Sequence, residues 1–327
     1  MSYTNFPDGL TSFGVPLVGS LSGIPFTGSW YFVDAVRGSD GNTGGAEDPL
    51  KTITRAYALC TEGNNDVVVL VSAPTTAAPT TGTFRLSAQL DWAKSATHMV
   101  GMTAPTMIGQ RARISTATGA TANIADLFKV SAQGCYFANF SIFQGVGEAS
   151  TDEQLCQITG QRNAFYNVGF QGMGSANGAG RAGSYVLYLN GGSENTFVGC
   201  QIGVDTASRS AANASVKLRS AATRNIFQDC LFPVYATATS PLVVDAAASG
   251  SIDRFVWLKN CLITNFGSSA LAAVVGYHAS QGGFVLMDNC SAAGCTDWTA
   301  ADTSTVKISG PVPNGDTSGM MANADAT

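Results

Sequence analysis

The sequence predicts an all-β chain wound as a parallel β-solenoid, and three observations predict it. A six-residue segment recurs at near-constant spacing. Its third position is confined to Asn, Gly or Asp, and a second set of strand-like runs fills the gaps between copies.

The segment reads FANFSI from Phe137, FYNVGF from Phe165, FVGCQI from Phe197, FQDCLF from Phe227, LKNCLI from Leu258 and MDNCSA from Met287. Its third positions, Asn139, Asn167, Gly199, Asp229, Asn260 and Asn289, follow at intervals of 28, 32, 30, 31 and 29 residues. Self-similarity at such a period marks stacked architectures. The first position is always large and apolar. The fourth is Phe140, Val168, Cys200, Cys230, Cys261 and Cys290, and the sixth is Ile142, Phe170, Ile202, Phe232, Ile263 and Ala292. In a straight strand, positions one and four face opposite sides. Both read as buried, so the chain must bend between them. Asn, Gly and Asp are the residues that best tolerate the left-handed backbone region. Each copy therefore reads as strand, one-residue corner, strand.

A second strand set precedes each corner: LFKV from Leu127, LCQI from Leu155, YVLYL from Tyr185, SVKL from Ser215, LVVD from Leu242 and VVGY from Val274. VKI from Val306 is expected to begin a seventh coil. Turns such as TGQRN, NGGSEN and RSAATRN join the two sets. They place Asn163, Asn195 and Asn225 in one column and the alternating charges Arg162, Glu194 and Arg224 in its neighbour. β-Branched and aromatic enrichment without a 3.6-residue period favours strands over helices.

Cys200, Cys230, Cys261 and Cys290 share one column on consecutive coils. Zinc sites use close cysteine pairs, and four ligands in a straight row cannot surround an ion tetrahedrally. Stacked coils hold Cβ atoms about 4.8 Å apart, wider than the disulfide mean of about 3.8 Å. The column reads as unbonded thiols in the core, a structural ladder beside the corner residues Asn139, Asn167, Asn260 and Asn289. Cys60, Cys135, Cys156 and Cys295 show no pairing pattern. No metal and no cofactor is expected.

Upstream, WYFVDAVRGSDGNTGGAEDPLKTITRAYALC runs from Trp30 to Cys60. GSDGNTGG is a turn-forming run, and Ile53, Ala56, Tyr57 and Cys60 recur at helical spacing. A short helix there would plug the end of the stack, where open strand edges invite aggregation. The stretch resembles the N-terminal signature of right-handed parallel β-helix proteins of the pectin-lyase-like class. Val33, Asp34, Gly38, Ser39, Asp40, Asn42, Thr43, Gly44, Pro49, Lys51, Thr52, Ile53 and Ala56 carry the match. The resemblance implies a right-handed solenoid with a short capping helix, in a class that includes many bacteriophage tailspikes and other virion proteins.

The first 28 residues, with NFP.G.TSFGVP at Asn5 to Pro16, are similar to short N-terminal segments of tailed-phage head proteins. Gly and Pro every few residues exclude a stable helix or central strand. The apolar content suits an extended arm that docks on a neighbour, with Tyr3, Asn5, Phe6, Phe13, Val15 and Leu17 as its contact residues. The expected organisation is an arm over 1–28, a cap and first coils over 29–120, regular coils over 121–310 and a loosely ordered tail over 311–327.

Charged residues are 12% of the chain and the net charge is −5. Scattered basic residues argue against nucleic-acid binding. No apolar run is long enough to span a membrane. The opening residues lack a cationic and apolar leader, so synthesis in a host cytoplasm with reduced thiols is expected.

For chemistry, His98 and His278 sit in no nucleophile motif. Among carboxylates, Asp229 occupies a corner, Asp288 stacks above Lys259 as an expected ion pair, and Asp253 and Glu194 have arginine neighbours. Glu148, Asp152, Glu153 and Asp205 lie in loops where they could meet. Glycoside hydrolysis needs two carboxylates about 5–9.5 Å apart. The long loops 143–154, 171–184, 203–214, 233–241, 264–273 and 293–305 leave one edge and are rich in small, uncharged residues, which suits packing against another copy. The resulting expectation is a non-enzymatic virion protein without catalytic residues. It would be a decoration or cement protein on the outer capsid surface, bound to the major capsid protein as a homotrimer. The alternative is a tailspike or fibre that binds or depolymerises host polysaccharide.

Overall fold

A computed structural model describes residues 27–71, 83–110, 112–117, 119–148, 151–299 and 306–309, with the short strands Thr11–Ser12, Val15–Pro16 and Met320–Ala322. The chain winds as a parallel β-solenoid of about 7 turns. Its three sheets contain ten, nine and eight strands among the described residues.

One coil shows the plan. Tyr136–Ala138 lies in the first sheet, Ser141–Phe143 in the second and Gln154–Ile158 in the third, and Ala164–Tyr166 returns to the first. The repeated hexapeptide is the junction of the first two sheets. Its third residue takes a positive φ in every copy: 58° at Asn139, 52° at Asn167, 60° at Gly199, 53° at Asp229, 52° at Asn260 and 50° at Asn289. Its N–H donates to the position-two carbonyl of the next coil, as from Asn167 to Val198 at 2.8 Å and from Asp229 to Lys259 at 2.9 Å. The corner is two residues rather than one. The residue after the left-handed one also lies outside both strands, because one reversal of φ cannot turn the chain and restore the pleat together. That second corner residue points inward, which buries position four.

Position one builds the core. Phe137, Phe165, Phe197 and Phe227 are fully buried. Their rings stack at 4.8, 4.8 and 4.6 Å between centroids, within 11° of parallel, because the strand spacing is about 4.8 Å. Burying each ring contributes about 1.5–3 kcal/mol. Leu258 and Met287 continue the column and are also fully buried.

Two polar ladders hold the turns into the first sheet. Buried Asn195 and Asn225 accept at Oδ1 from the backbone N of Asn163 and Asn195, at 3.0 and 3.1 Å. Outside them, Glu194 bridges Arg162 at 2.7 Å and Arg224 at 3.0 Å. Val306–Ser309 joins the first sheet beside Phe284–Asp288, and the last third-sheet strand is Cys295–Thr299. The VKI run thus supplies the next first-sheet strand, in register with Val285, Leu286 and Met287, as expected of the start of a seventh coil.

The lower end is closed by helix α1, Ile53–Leu59. Thr52 caps it by accepting from Arg55 N, and Asp40 Oδ1 accepts from the N–H groups of Lys51 and Thr52. Tyr57 stacks on Trp92 at 4.3 Å, while Lys94 Nζ donates to the carbonyls of Tyr57, Ala58 and Cys60. The signature residues around it are structural. Asp34 Oδ1 accepts from Val36 N and Arg37 N, and a Cβ at Gly38 would lie 2.1 Å from the Leu50 carbonyl oxygen. No helix is long and apolar enough to cross a membrane among the described residues.

Candidate functional site

The four-cysteine column is a closed part of the core. All eight cysteines are buried and unbonded. Cys200, Cys230, Cys261 and Cys290 donate to the position-one carbonyl of the preceding coil, at Phe165, Phe197, Phe227 and Leu258, over 3.4–3.5 Å. Burial raises the Cys230 thiol far above its ordinary range, and hydrogen bonding to Cys230, with burial, raises that of Cys261. These thiols are neither nucleophiles nor ready metal ligands. At the neighbouring corners, Asn167 Nδ2 donates to Asn139 Oδ1 at 3.2 Å and Asn289 Nδ2 to Asn260 Oδ1 at 3.0 Å.

Three of the four loop carboxylates have partners of their own. Asp152 Oδ1 bonds Arg181 Nε at 3.0 Å. Glu148 Oε2 accepts from Asn123 N and the Thr151 hydroxyl, and Asp205 is exposed. Glu153 is fully buried and accepts from Gly174 N at 2.6 Å and the Ser175 hydroxyl at 3.1 Å. Burial pushes its carboxyl up to about 7, and its role is to anchor the loop over 172–184. Lys259 and Asp288 are register partners, but Lys259 Nζ lies 5.5 Å from the Trp257 ring centroid and Asp288 accepts from Ser309. His98 is a buried strand residue whose Nδ1 accepts from Tyr136 N, and burial lowers it to about 4. Of the arm residues, Tyr3, Asn5, Phe6, Phe13 and Leu17 lie outside the described residues. Val15 falls in a two-residue strand paired with Thr11–Ser12.

Chemistry converges instead on the outer face of the third sheet. Side chains alternate along a strand, so six successive third-sheet strands send residues outward in register. Successive partners are Asp91, Lys129, Gln157, Tyr188, Lys217 and Asp245. Beside this column, Asp126 has φ 49° just ahead of Phe128–Val130. The phenol of Tyr185, two strands further on, reaches back and donates to Asp126 Oδ1 at 2.6 Å. Tyr185 and Tyr188 meet edge to face at 5.1 Å, and Lys217 Nζ lies 5.3 Å from both ring centroids. Arg219 and Asp245 close the cluster with a 2.7 Å ion pair, both largely buried.

The electrostatics follow from burial. Burial raises the Asp126 carboxyl, while the Tyr185 hydrogen bond and nearby Lys129 hold it down. Burial and then the bond to Asp126 raise the Tyr185 phenol, so it remains a donor. Oδ1 of Asp126 is occupied by Tyr185, and Oδ2 has no hydrogen-bond partner among the described residues. Asp126 and Asp245 are four rungs apart, about 19 Å at 4.8 Å per rung. That is too far for a two-carboxylate hydrolysis, which needs about 5–9.5 Å. The arrangement offers one half-buried carboxyl held by a phenol, with Lys129 nearby. No three His, Cys, Asp or Glu side chains among the described residues group as a metal site.

Sequence reasoning passed over Asp126, Tyr185, Tyr188 and Lys217. The signal was there in part: LFKV, LCQI, YVLYL, SVKL and LVVD each carry one or two polar or tyrosine residues in an otherwise apolar run. The reach of Tyr185 across two strands leaves no trace in spacing.

No protein-family model matches this sequence, and a search of curated proteins found no match. Solved structures share its fold. Pectate lyase Pel9A superposes with a TM-score of 0.57 at 14% identity, covering 94% of this chain and 80% of that one. A rhamnogalacturonan lyase gives 0.53 at 16%, covering 83% and 69%. The pectin methylesterase of Aspergillus niger gives 0.51 at 15%, covering 91% and 87%. The molecule is thus a pectate lyase-like parallel β-helix. The expectation of a non-enzymatic protein is corrected here. The structures sharing the fold over most of the chain are enzymes, so the absence of a recognisable catalytic motif in the sequence is no ground for excluding catalysis.

Proposed function

We propose that this protein binds an extended acidic polysaccharide along the outer face of the third sheet and cleaves it by elimination. Asp126 is the proton-accepting group in this reading. The observation that carries it is the Tyr185–Asp126 hydrogen bond, which fixes one carboxyl oxygen and leaves the other free, with Lys129 acting on the carboxyl and Lys217 over the tyrosine rings. Elimination needs a base for the proton on the carbon beside a sugar carboxylate, and a cation to offset charge as that proton leaves. Asp126 Oδ2 takes the proton. The C–H electron pair forms a carbon–carbon double bond, and the glycosidic C–O bond breaks, with a proton from water completing the new hydroxyl. Burial makes Asp126 a stronger base than an exposed aspartate. Tyr185 is a positioning residue, because it touches Asp126 and not the substrate.

Two of the structures sharing the fold are lyases, and their names concern acidic plant polysaccharides. The tailspike or fibre alternative, which degrades host polysaccharide, uses the same chemistry on another source and is the virion role compatible with this reading.

The test is incubation of the purified protein with polygalacturonate, rhamnogalacturonan and acidic bacterial capsular polysaccharides. Products are followed by reducing ends and by ultraviolet absorbance of the unsaturated uronate. Asp126→Asn is expected to lower the rate about 100-fold or more with an unchanged melting temperature. Turnover that survives in Asp126→Asn, or no turnover on any of these substrates, would overturn the proposal.

A further inference from the structure

A cavity of about 480 Å³ opens between the start of α1 and the turn that leads into the first third-sheet strand, Leu90–Trp92. Lys51 and Arg85 line it, with Thr54, Ser87 and Gln89 supplying hydroxyl and amide groups. Neither cation is in an ion pair among the described residues. The nearby carboxylate of Asp40 is engaged by Lys51 N, Thr52 N and the Thr52 hydroxyl. Arg85 is held by one side, its Nη1 donating to Ser115 Oγ at 2.6 Å and the Thr116 carbonyl at 3.0 Å. Its remaining N–H groups have no protein acceptor among the described residues. Both Lys51 and Arg85 are exposed to solvent, so an anion can reach them.

The cavity adjoins the candidate site. Gln89 Nε2 donates to the carbonyl of Ala125, the residue before Asp126, and Leu90 pairs with Phe128. The rim of the cavity at Gln89 therefore touches the residue that precedes Asp126. We propose that Lys51 and Arg85 form an oxyanion subsite that takes the carboxylate of an acidic sugar next to the one held at Asp126. The inference rests on the polysaccharide reading above. Two cations with neighbouring hydroxyl and amide donors suit a planar carboxylate, and Arg can bind one through two parallel N–H groups.

The experiment is calorimetric titration of the full chain with galacturonate and, separately, with inorganic phosphate, at constant ionic strength against chloride. Galacturonate is expected to bind the wild type, with Lys51→Met and Arg85→Met each weakening it about tenfold and Arg85→Lys retaining part of the affinity. Melting curves without anion report whether Arg85→Met folds. If it does not, exposed Lys51→Met carries the test. Phosphate binding without galacturonate binding would overturn the sugar assignment, and no binding of either would overturn the subsite. On polysaccharide, both Met variants are expected to raise KM. Turnover with unchanged KM in both would refute the subsite and leave the function standing. Galacturonate bound by Lys51 and Arg85 without any turnover would uphold the subsite and refute the elimination.

Discussion

Tyr185 donates its phenolic proton to Asp126 across an intervening strand, at 2.6 Å. Its bond is one of two influences that hold the Asp126 carboxyl down against burial. Tyr185→Phe is therefore expected to raise that carboxyl further and to cost about 0.5–1.5 kcal/mol of stability. For an acid raised by folding, the stabilisation is complete below the ordinary carboxylate range and is lost as pH rises through the folded value. In Tyr185→Phe that loss extends to higher pH. Carbon NMR titration of the Asp126 carboxyl checks this, and an unmoved titration would show that the bond does not govern it.

Glu153 supplies a pH dependence of its own. Its folded carboxyl titrates near 7 against an ordinary 4.5, with burial as the largest cause. Between those values the folded chain keeps a proton that the unfolded chain has lost, so stability falls as pH rises through the window. Glu153→Gln should flatten that slope, raising the urea midpoint at pH 8 and leaving it nearly unchanged at pH 4. The gain at pH 8 is on the order of 1–3 kcal/mol. Equal pH slopes in variant and wild type would exclude this role for Glu153.

The corners divide substitutions by backbone alone. Asn260 has φ 52° and its Oδ1 accepts from Asn289 Nδ2. Asn260→Gly is expected to change the melting temperature little, because glycine adopts that conformation freely. Asn260→Val forces a β-branched residue into it and should cost about 1–2 kcal/mol or more. Similar melting temperatures for the two variants would contradict a corner set by φ.

The thiol column makes a prediction about reactivity. A disulfide reagent should find no cysteine in the native protein and all eight after unfolding. Burial alone pushes Cys295 up to about 12, and burial with Asp66 does the same at Cys60. Cys230→Val should be tolerated within about 1.5 kcal/mol, since Val168 fills the same column, whereas Cys230→Ser buries a hydroxyl at a cost of about 1–3 kcal/mol. Rapid labelling of native Cys230 would show that the column opens.

How much was legible depended on whether an element's role repeats from coil to coil. The corner, the phenylalanine column and the asparagine ladder were read from spacing because each rung imposes the same demand on the same position. The two-residue corner was not, since Phe140 and its counterparts reveal their break from the strand only through backbone hydrogen bonds. VKI was legible as the start of a further coil because it repeats the strand that precedes each corner. The Lys259–Asp288 register was legible, but Lys259 goes to the Trp257 ring, a choice that side-chain packing makes.

Sequence by itself determined the architecture: a chain that places Asn, Gly or Asp at one corner about every thirty residues, between inward apolar positions, winds as a stack. Only the tertiary structure decided which residues form the candidate site. Asp126, Tyr185, Lys217 and the Lys51–Arg85 cavity come together across different coils. Each contact depends on where a long side chain reaches over its neighbours, and nothing in the repeat encodes that reach. Periodicity records what every coil must satisfy to stack. Chemistry sits in the single coils that depart from it.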